Sequence, residues 1–563
     1  MATSGYAVEL RNITKTFGGV VANKNVCLNV KHGEILALLG ENGSGKTTLM
    51  NILSGIYKPD SGSILVDGNE VVINSPEDSK KLGIGMVYQH FKLVDVFSAA
   101  DNIWMGKNKT GFNLKAKLKE KDKNGRPKNI LKKAGLVAGA AAWNISEEFL
   151  HRGRVDEIRE IAKKFGFDID PSKKIYNMSV SEKQTIEILK VLCYGAKTII
   201  LDEPTAVLTV QETKKLFDIL RKLKEEGHSI IIITHKLNEV VEISDRVSVL
   251  RRGELIKTLD TKDTNEQELA ELMVGRKVDL SIERPFVEKK KPLLEIRNLT
   301  IRSDEGAIAI DSINFYIRGG EILGVAGIAG CGQKELCEAI AGLRKIESGK
   351  IIHKGENIVG LPPEKIIERG IAMSFIPEDR LGMGLAPSLS ITDNMLLKSY
   401  RGKWYNPVID RKSGRERAKK VISDLMILTP STEMPVRLLS GGNVQKVLVG
   451  RELESGPNVL ITAYPVRGLD INSSYAIYNI LNEQKKNGVG ILYVGEDLDV
   501  MMALCDKIMV ICHGRLMGVV HAHKTTKEEL GLMMTGALDL SECKGKPAGI
   551  AKDSELREDQ TNE

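Results

Sequence analysis

Across 563 residues the chain carries seven cysteines, three tryptophans and only 5% aromatic residues. The cysteines (Cys27, Cys193, Cys331, Cys337, Cys505, Cys512 and Cys543) are scattered and form no CxxC pair. That spacing indicates neither a zinc site nor a disulfide framework. The scarcity of aromatics argues against a surface for stacking RNA bases. No apolar run reaches the ~18 residues needed to span a bilayer, and no secretory leader is recognised. The chain is therefore expected in a reducing cytosol, with any membrane attachment supplied by another protein. Neither sign of charge dominates. The net charge of +7 permits nucleic acid or an anionic membrane face but demands neither. What remains is a globular composition, 42% hydrophobic, long enough for two to four domains.

The chain repeats itself. Val8–Thr14, "VELRNIT", returns as Leu294–Thr300, "LEIRNLT", and Gly33–Gly40, "GEILALLG", as Gly320–Gly327, "GEILGVAG". From Gly33 the offset is 287. From Ser179 and Ser440 onward it is 261, so the first half holds 26 extra residues between. A period this long marks duplicated domains rather than a solenoid. The expected division is a first domain over 1–280, a linker over 281–292, a second domain over 293–540 and a disordered tail over 541–563. The extra residues are expected in the lysine-rich stretch 107–146, read as a solvated surface insertion, with contact to lipid headgroups or a partner as the other reading. Short β-rich runs alternate with helical stretches in both halves, the pattern of an α/β domain with a largely parallel sheet.

The first half carries the chemistry. "GENGSGKT", Gly40–Thr47, fits G-x-x-x-x-G-K-[ST] between a strand and a helix. Gly40, Asn42, Gly43, Ser44, Gly45, Lys46, Thr47 and Thr48 form the candidate phosphate loop. Its backbone N–H groups can converge on a β-phosphate at the helix N-terminus. Lys46 adds a positive charge, and the Thr47 hydroxyl is a candidate Mg²⁺ ligand. In "TIILDEPTA", Asp202 at a strand end suits Mg²⁺, and Glu203 suits a general base for the attacking water. His235, at the end of "SIIIITH", is either a structural hydrogen-bonding group or a contact to the γ-phosphate. Gln89 in "MVYQH" is a candidate sensor of Mg²⁺ and water. Phe17 either stacks on adenine or packs in the core.

These elements in this order, together with "LSGGNVQK" at Leu439–Lys446, resemble the ATP-binding cassette family over both halves. The resemblance implies two tandem P-loop nucleotide-binding domains, each with a core sheet, an antiparallel β subdomain and a helical subdomain. It also implies ATP and Mg²⁺ as ligands, with each ATP held between the phosphate loop of one domain and the signature of the other. In the second half Lys46 is replaced by Gln333, Thr47 by Lys334, Asp202 by Ala463, Glu203 by Tyr464 and His235 by Glu496. Gln89 falls on Ile376, with Glu378 close by, and Phe17 falls on Asp304. Lys334 offers a charge but neither a base nor a metal ligand. The signatures run the other way. The second half keeps Ser440, Gly441, Gly442 and Asn443, while the first has Val180 and Ser181 in place of the glycines. The expectation is one competent ATP site formed across the two halves.

Two-cassette chains with a degenerate second half resemble the ATPase subunits of bacterial importers for simple sugars and nucleosides. Gly83–Asn102, Pro204–Glu212 and Pro377–Leu385 look most like the nucleoside branch, with a ribose- or galactose-type importer as the alternative. The resemblance implies two integral-membrane permease subunits as partners and, through them, an extracytoplasmic substrate-binding lipoprotein. It places the chain peripherally on the cytoplasmic face of the plasma membrane, with no nucleic acid expected. Soluble two-cassette proteins of the ribosome or DNA are the other class. They usually have two competent sites and a long charged linker, or zinc cysteines, neither of which this sequence shows.

Overall fold

The computed structural model describes residues 5–88, 91–105, 155–156, 158–167, 169–206, 208–278, 280–288, 291–328, 330–375, 384–398, 409–467 and 469–540. Gln89, the insertion at 107–146, Glu378 with most of its surrounding segment, and the tail at 541–563 lie outside the described residues. The chain forms two compact units, the first of Met1–Leu208 and Glu212–Arg276, the second of Thr209–Gln211 and Lys277–Glu563.

The first unit holds ten strands: β1 (Tyr6–Phe17), β2 (Val20–Lys31), β3 (Ile35–Leu39), β4 (Ser61–Val66), β5 (Asn69–Val71), β6 (Ile84–Val87), β7 (Thr198–Asp202), β8 (Ser229–Thr234), β9 (Arg246–Arg251) and β10 (Glu254–Asp260). They make two sheets, in the orders β2-β1-β4-β5 and β10-β9-β3-β8-β7-β6. The small sheet is antiparallel. The large one is parallel except for its edge strand β10. Strands β3, β7 and β8 are buried at every position. Their continuous Ile/Leu runs are what a parallel strand covered on both faces requires.

The second unit repeats this plan. Its strands are β11 (Pro292–Arg302), β12 (Ile308–Arg318), β13 (Ile322–Ala326), β14 (Ser348–His353), β15 (Glu356–Asn357), β16 (Ile371–Phe375), β17 (Val459–Ala463), β18 (Gly490–Val494), β19 (Lys507–Cys512) and β20 (Arg515–His521). The sheet orders are those of the first unit with ten added to each strand number. The segment before β11 packs on this unit: Arg284 Nη1 donates to the Cys505 carbonyl at 2.6 Å, and Asn482 Nδ2 to the Glu283 carbonyl at 2.9 Å.

One ionic device recurs. Asp245 accepts from the Ile35 amide at 2.9 Å and from Lys224 Nζ at 2.6 Å. Asp506 accepts from the Ile322 amide at 2.8 Å and from Lys485 Nζ at 2.6 Å. Each carboxylate thus ties down the first residue of the strand, β3 or β13, that leads into a phosphate loop. A charge-assisted bond of this kind is worth roughly 1.5–3 kcal/mol.

A buried imidazole in the second unit yields a stability prediction. His353, at the end of β14, is 3% exposed, and its Nε2 has no partner among the described residues. Its first-unit counterpart is Val66. Burial lowers the His353 pKa, and Lys354 and Arg369 lower it further against an opposing effect of Glu356. The folded state therefore favours the neutral ring. Stability is fully present above the ordinary value of about 6.5 and falls as the pH drops below it, because the unfolded chain takes up the proton first. His353→Val is expected to lessen the fall in Tm of the second unit between pH 7.5 and pH 5. Thermal denaturation at both pH values checks this; an unchanged pH dependence would remove His353 as its source.

Candidate nucleotide site

The phosphate loop leaves β3 and enters the helix Lys46–Leu53. Two glycines are sterically required. A Cβ on Gly40 would stand 2.3 Å from the Leu250 carbonyl oxygen, and one on Gly45 2.2 Å from that of Ala22. Gly45 caps the helix in the left-handed region, at φ 100°. Asn42 and Gly43 lie exposed at the tip of the loop. Ser44 is buried, and its hydroxyl has no partner among the described residues. A buried hydroxyl without a partner is uncommon, and this one belongs to a loop of backbone donors. The observation fits a loop completed by an anion.

Lys46 is 6% exposed, and its Nζ donates to the carbonyls of Gly40 at 2.7 Å and Glu41 at 3.0 Å. Burial lowers its pKa, opposed by the charges of Glu203, Asp202 and Glu41. Thr47 Oγ1 lies 3.4 Å from Asp202 Oδ2. Burial and the neighbouring Glu203 carboxylate raise the Asp202 pKa to about 6, against the Thr47 hydrogen bond and the Lys46 charge. Glu203 behaves oppositely. Its hydrogen bond with His235 (Oε1 to Nδ1, 2.9 Å) is the largest influence and lowers its pKa despite burial. Glu203 also sits at a positive φ of 46°, rare for a branch-free acid, with its amide bonded to the Ile233 carbonyl at 2.9 Å. The strand-to-turn corner thus turns an ionised carboxylate toward the loop side of the sheet. Lys46, Thr47, Asp202, Glu203 and His235 are joined in one chain of neighbours.

Phe17 is 43% exposed and is not core. Its ring meets Tyr57 edge-on, with centroids 5.2 Å apart, and Lys15 Nζ lies 5.5 Å from its centroid. An exposed aromatic propped from the side offers a free face to a base. Tyr57 carried no signal by motif. The signal was available in its counterpart, Arg344, which changes together with Phe17 to Asp304.

The two signature segments differ in how their helices begin. In the second unit Ser440 precedes the helix Gly441–Glu454, makes no side-chain cap and has no acidic residue in the first turn. Its hydroxyl accepts instead from Asn443 Nδ2 at 2.9 Å, while Asn443 Oδ1 holds the Leu428 amide at 3.1 Å. Ser440 and Gly441 are exposed. In the first unit Ser179 caps the helix Val180–Cys193 through a reciprocal box with Glu182. The Glu182 carboxylate accepts from the Ser179 amide at 2.7 Å and pairs with Lys173 at 2.7 Å. A carboxylate thus already stands at that helix N-terminus, while the second-unit helix leaves its donors open to an external anion. The sequence signal for this difference is Glu182 itself, an acid three residues after Ser179 in the S-x-x-E capping pattern, where the second unit has Asn443.

The sequence profile described as "ABC transporter" matches residues 23–206 and 310–465. The chain is 43% identical to a guanosine import ATP-binding protein, NupO, of Bacillus subtilis, over 94% of this chain and 98% of that protein. It is 38% identical to a nucleoside import ATP-binding protein, NupA, of Lactococcus lactis, over the same shares. A ribose import ATP-binding protein, RbsA 1, of Rubrobacter xylanophilus is 36% identical over 94% of this chain and 98% of that protein.

If the free face of Phe17 receives adenine, Phe17→Ala should weaken binding of an ATP analogue roughly 10- to 100-fold, since base–aromatic stacking is worth ~1–3 kcal/mol. Phe17→Tyr should restore it. Fluorescence titration of the full chain measures this; a lowered Tm with unchanged affinity would make Phe17 a packing residue instead.

Proposed function

The chain belongs to the ABC transporter ATPase family, and on that premise we propose that it hydrolyses ATP to energise a membrane importer of nucleosides. The observation that carries the enzymatic reading is the Glu203 carboxylate, hydrogen-bonded to His235 at 2.9 Å and held in its ionised form by that bond and by the charge of the loop lysine, Lys46. In this reading the loop N–H groups and Lys46 bind the β- and γ-phosphates, and Phe17 stacks on the base. Glu203 takes up proton density from the attacking water, His235 fixes the carboxylate, and Gln89 assists at the water. Thr47 and Asp202 fit Mg²⁺, a hard cation that takes one or two protein oxygens and completes its shell with phosphate and water. When bound, Mg²⁺ neutralises phosphate charge.

The signature Ser440, Gly441, Gly442 and Asn443 is read as serving the same hydrolytic site as Lys46. The support is the crossed pattern of intact motifs and the open helix start after Ser440, set against the self-capped start after Ser179. Among the described residues no helix is long and apolar enough to cross a membrane. By the likeness to import ATP-binding proteins, two permease subunits and an extracytoplasmic binding protein are proposed as the partners that carry and select the solute, with this chain on the cytoplasmic face. Nucleosides are favoured as cargo by the likeness to two nucleoside-type import ATPases. The likeness to a ribose import ATPase supports a simple sugar as the second reading.

Two outcomes are expected. Glu203→Gln should leave ATP binding intact and lower hydrolysis roughly 10²-fold or more, the scale of general-base loss; near-normal turnover in the assembled transporter would sink the base assignment. In vesicles holding the chain with its own permeases and binding protein, guanosine or another nucleoside should stimulate ATP turnover and be taken up. Stimulation by ribose or galactose alone would overturn the choice of cargo.

A further inference from the structure

The second cassette keeps the scaffold of a nucleotide site, yet its residues do not fit the nucleotide. Gly332 caps the helix Gln333–Ile340 at φ 101°, as Gly45 does in the first. In place of the ammonium, the neutral Gln333 amide fills the loop, 3% exposed, with Nε2 donating to the Ile328 carbonyl at 3.2 Å. The one lysine nearby, Lys334, lies 3.8 Å from Glu338 of its own helix. Glu335 stands in the first turn of that helix, where the first cassette has no acidic residue. A carboxylate in the first turn weakens the positive field that a helix start offers an anion.

The base subsite is also changed. Arg344, at the position of Tyr57, forks onto Asp304 through Nη1 and Nη2 at 3.0 and 3.3 Å and onto Glu338 through Nε at 2.8 Å. Asp304 is highly exposed, so the subsite shows a carboxylate in place of the aromatic face of Phe17. At the third corner Tyr464 has the backbone of Glu203, with φ 52°, but burial raises its pKa to about 12 and leaves a neutral phenol. Beside it Glu496, in place of His235, lies 3.6 Å from Arg467. Every corner that would meet a triphosphate has lost a cation or a metal ligand, or has gained a carboxylate.

From this we infer that the second cassette binds no nucleotide, and that each chain takes up a single ATP, at the Lys46 loop. The inference rests on the reading of that loop as the ATP site. It is tested on the full chain by equilibrium dialysis with a slowly hydrolysed ATP analogue, and by photolabelling with 8-azido-ATP followed by peptide mapping. The expected result is saturation near one nucleotide per chain, label confined to the first half, and loss of both in Lys46→Ala. Saturation near two, label on peptides spanning 297–347, or one nucleotide still bound by Lys46→Ala would overturn the inference. Label absent from the first half would overturn the reading of the Lys46 loop, and the inference with it.

Discussion

A buried ammonium with no partner would cost several kcal/mol, and the first cassette is arranged around avoiding that cost at Lys46. Two loop carbonyls accept from its Nζ, and three carboxylates lie near enough to oppose the lowering of its pKa. Carbonyls are partial charges, so this resting arrangement is only adequate. A triphosphate offers full charges and would draw Nζ away from them. The neighbouring carboxylates are pushed in opposite directions: burial and the charge of Glu203 raise the Asp202 pKa to about 6, while the hydrogen bond from His235 lowers that of Glu203. The site thus keeps one carboxylate in each protonation tendency only a residue apart, the separation of roles that acid–base chemistry uses.

Comparison of the two units separates scaffold from chemistry. The backbone has kept its demanding positions in both: positive φ occurs at Asn25 and Ser312, at Asp67 and Lys354, at Arg252 and His513, and at Glu203 and Tyr464. The side chains at these corners have changed freely. A left-handed non-glycine residue costs about 1–3 kcal/mol, so such a corner persists only where the surrounding sheet dictates it. The amides of Glu203 and Tyr464 show how, each donating to the neighbouring strand, to Ile233 at 2.9 Å and Val494 at 2.8 Å. The corner belongs to the sheet, and the acid that uses it is an addition that can be withdrawn.

Much of this was legible in the sequence because it is written in local patterns. The strands β7 and β8 were visible as apolar runs ending in Asp202 and near His235, and the phosphate loop as glycine spacing with a lysine. The duplication was visible as constant offsets, and the structure follows the same offsets strand by strand from β3 on. What could not be read were relations between side chains far apart in sequence or not tied to a motif. The Glu203–His235 hydrogen bond, the Phe17–Tyr57 edge contact and the Arg344–Asp304 fork depend on which rotamers the fold brings together. Glu182 was overlooked for another reason. Its influence lies in a capping box, where what counts is the carboxylate gained rather than the glycines lost.

That capping difference explains why a second cassette without a nucleotide still requires a complete fold. A side-chain cap is worth about 0.5–2 kcal/mol to a helix, and the helix after Ser440 forgoes it. An uncapped start remains ordered only if the rest of the helix is firmly held. Most of Gly441–Glu454 is buried, and at its far end Glu452, fully buried, is bound by Arg451 at 2.8 Å and by Lys398 at 2.5 Å. Asn443 is fixed at the near end by the Leu428 amide. With the helix so anchored, the N–H groups at its start keep a fixed direction without a side-chain cap among the described residues, and a bound anion would complete them. The first-unit counterpart is arranged the other way: Ser179 and Glu182 cap each other's amides, and the Glu182 carboxylate stands at the helix start where an external anion would otherwise be favoured.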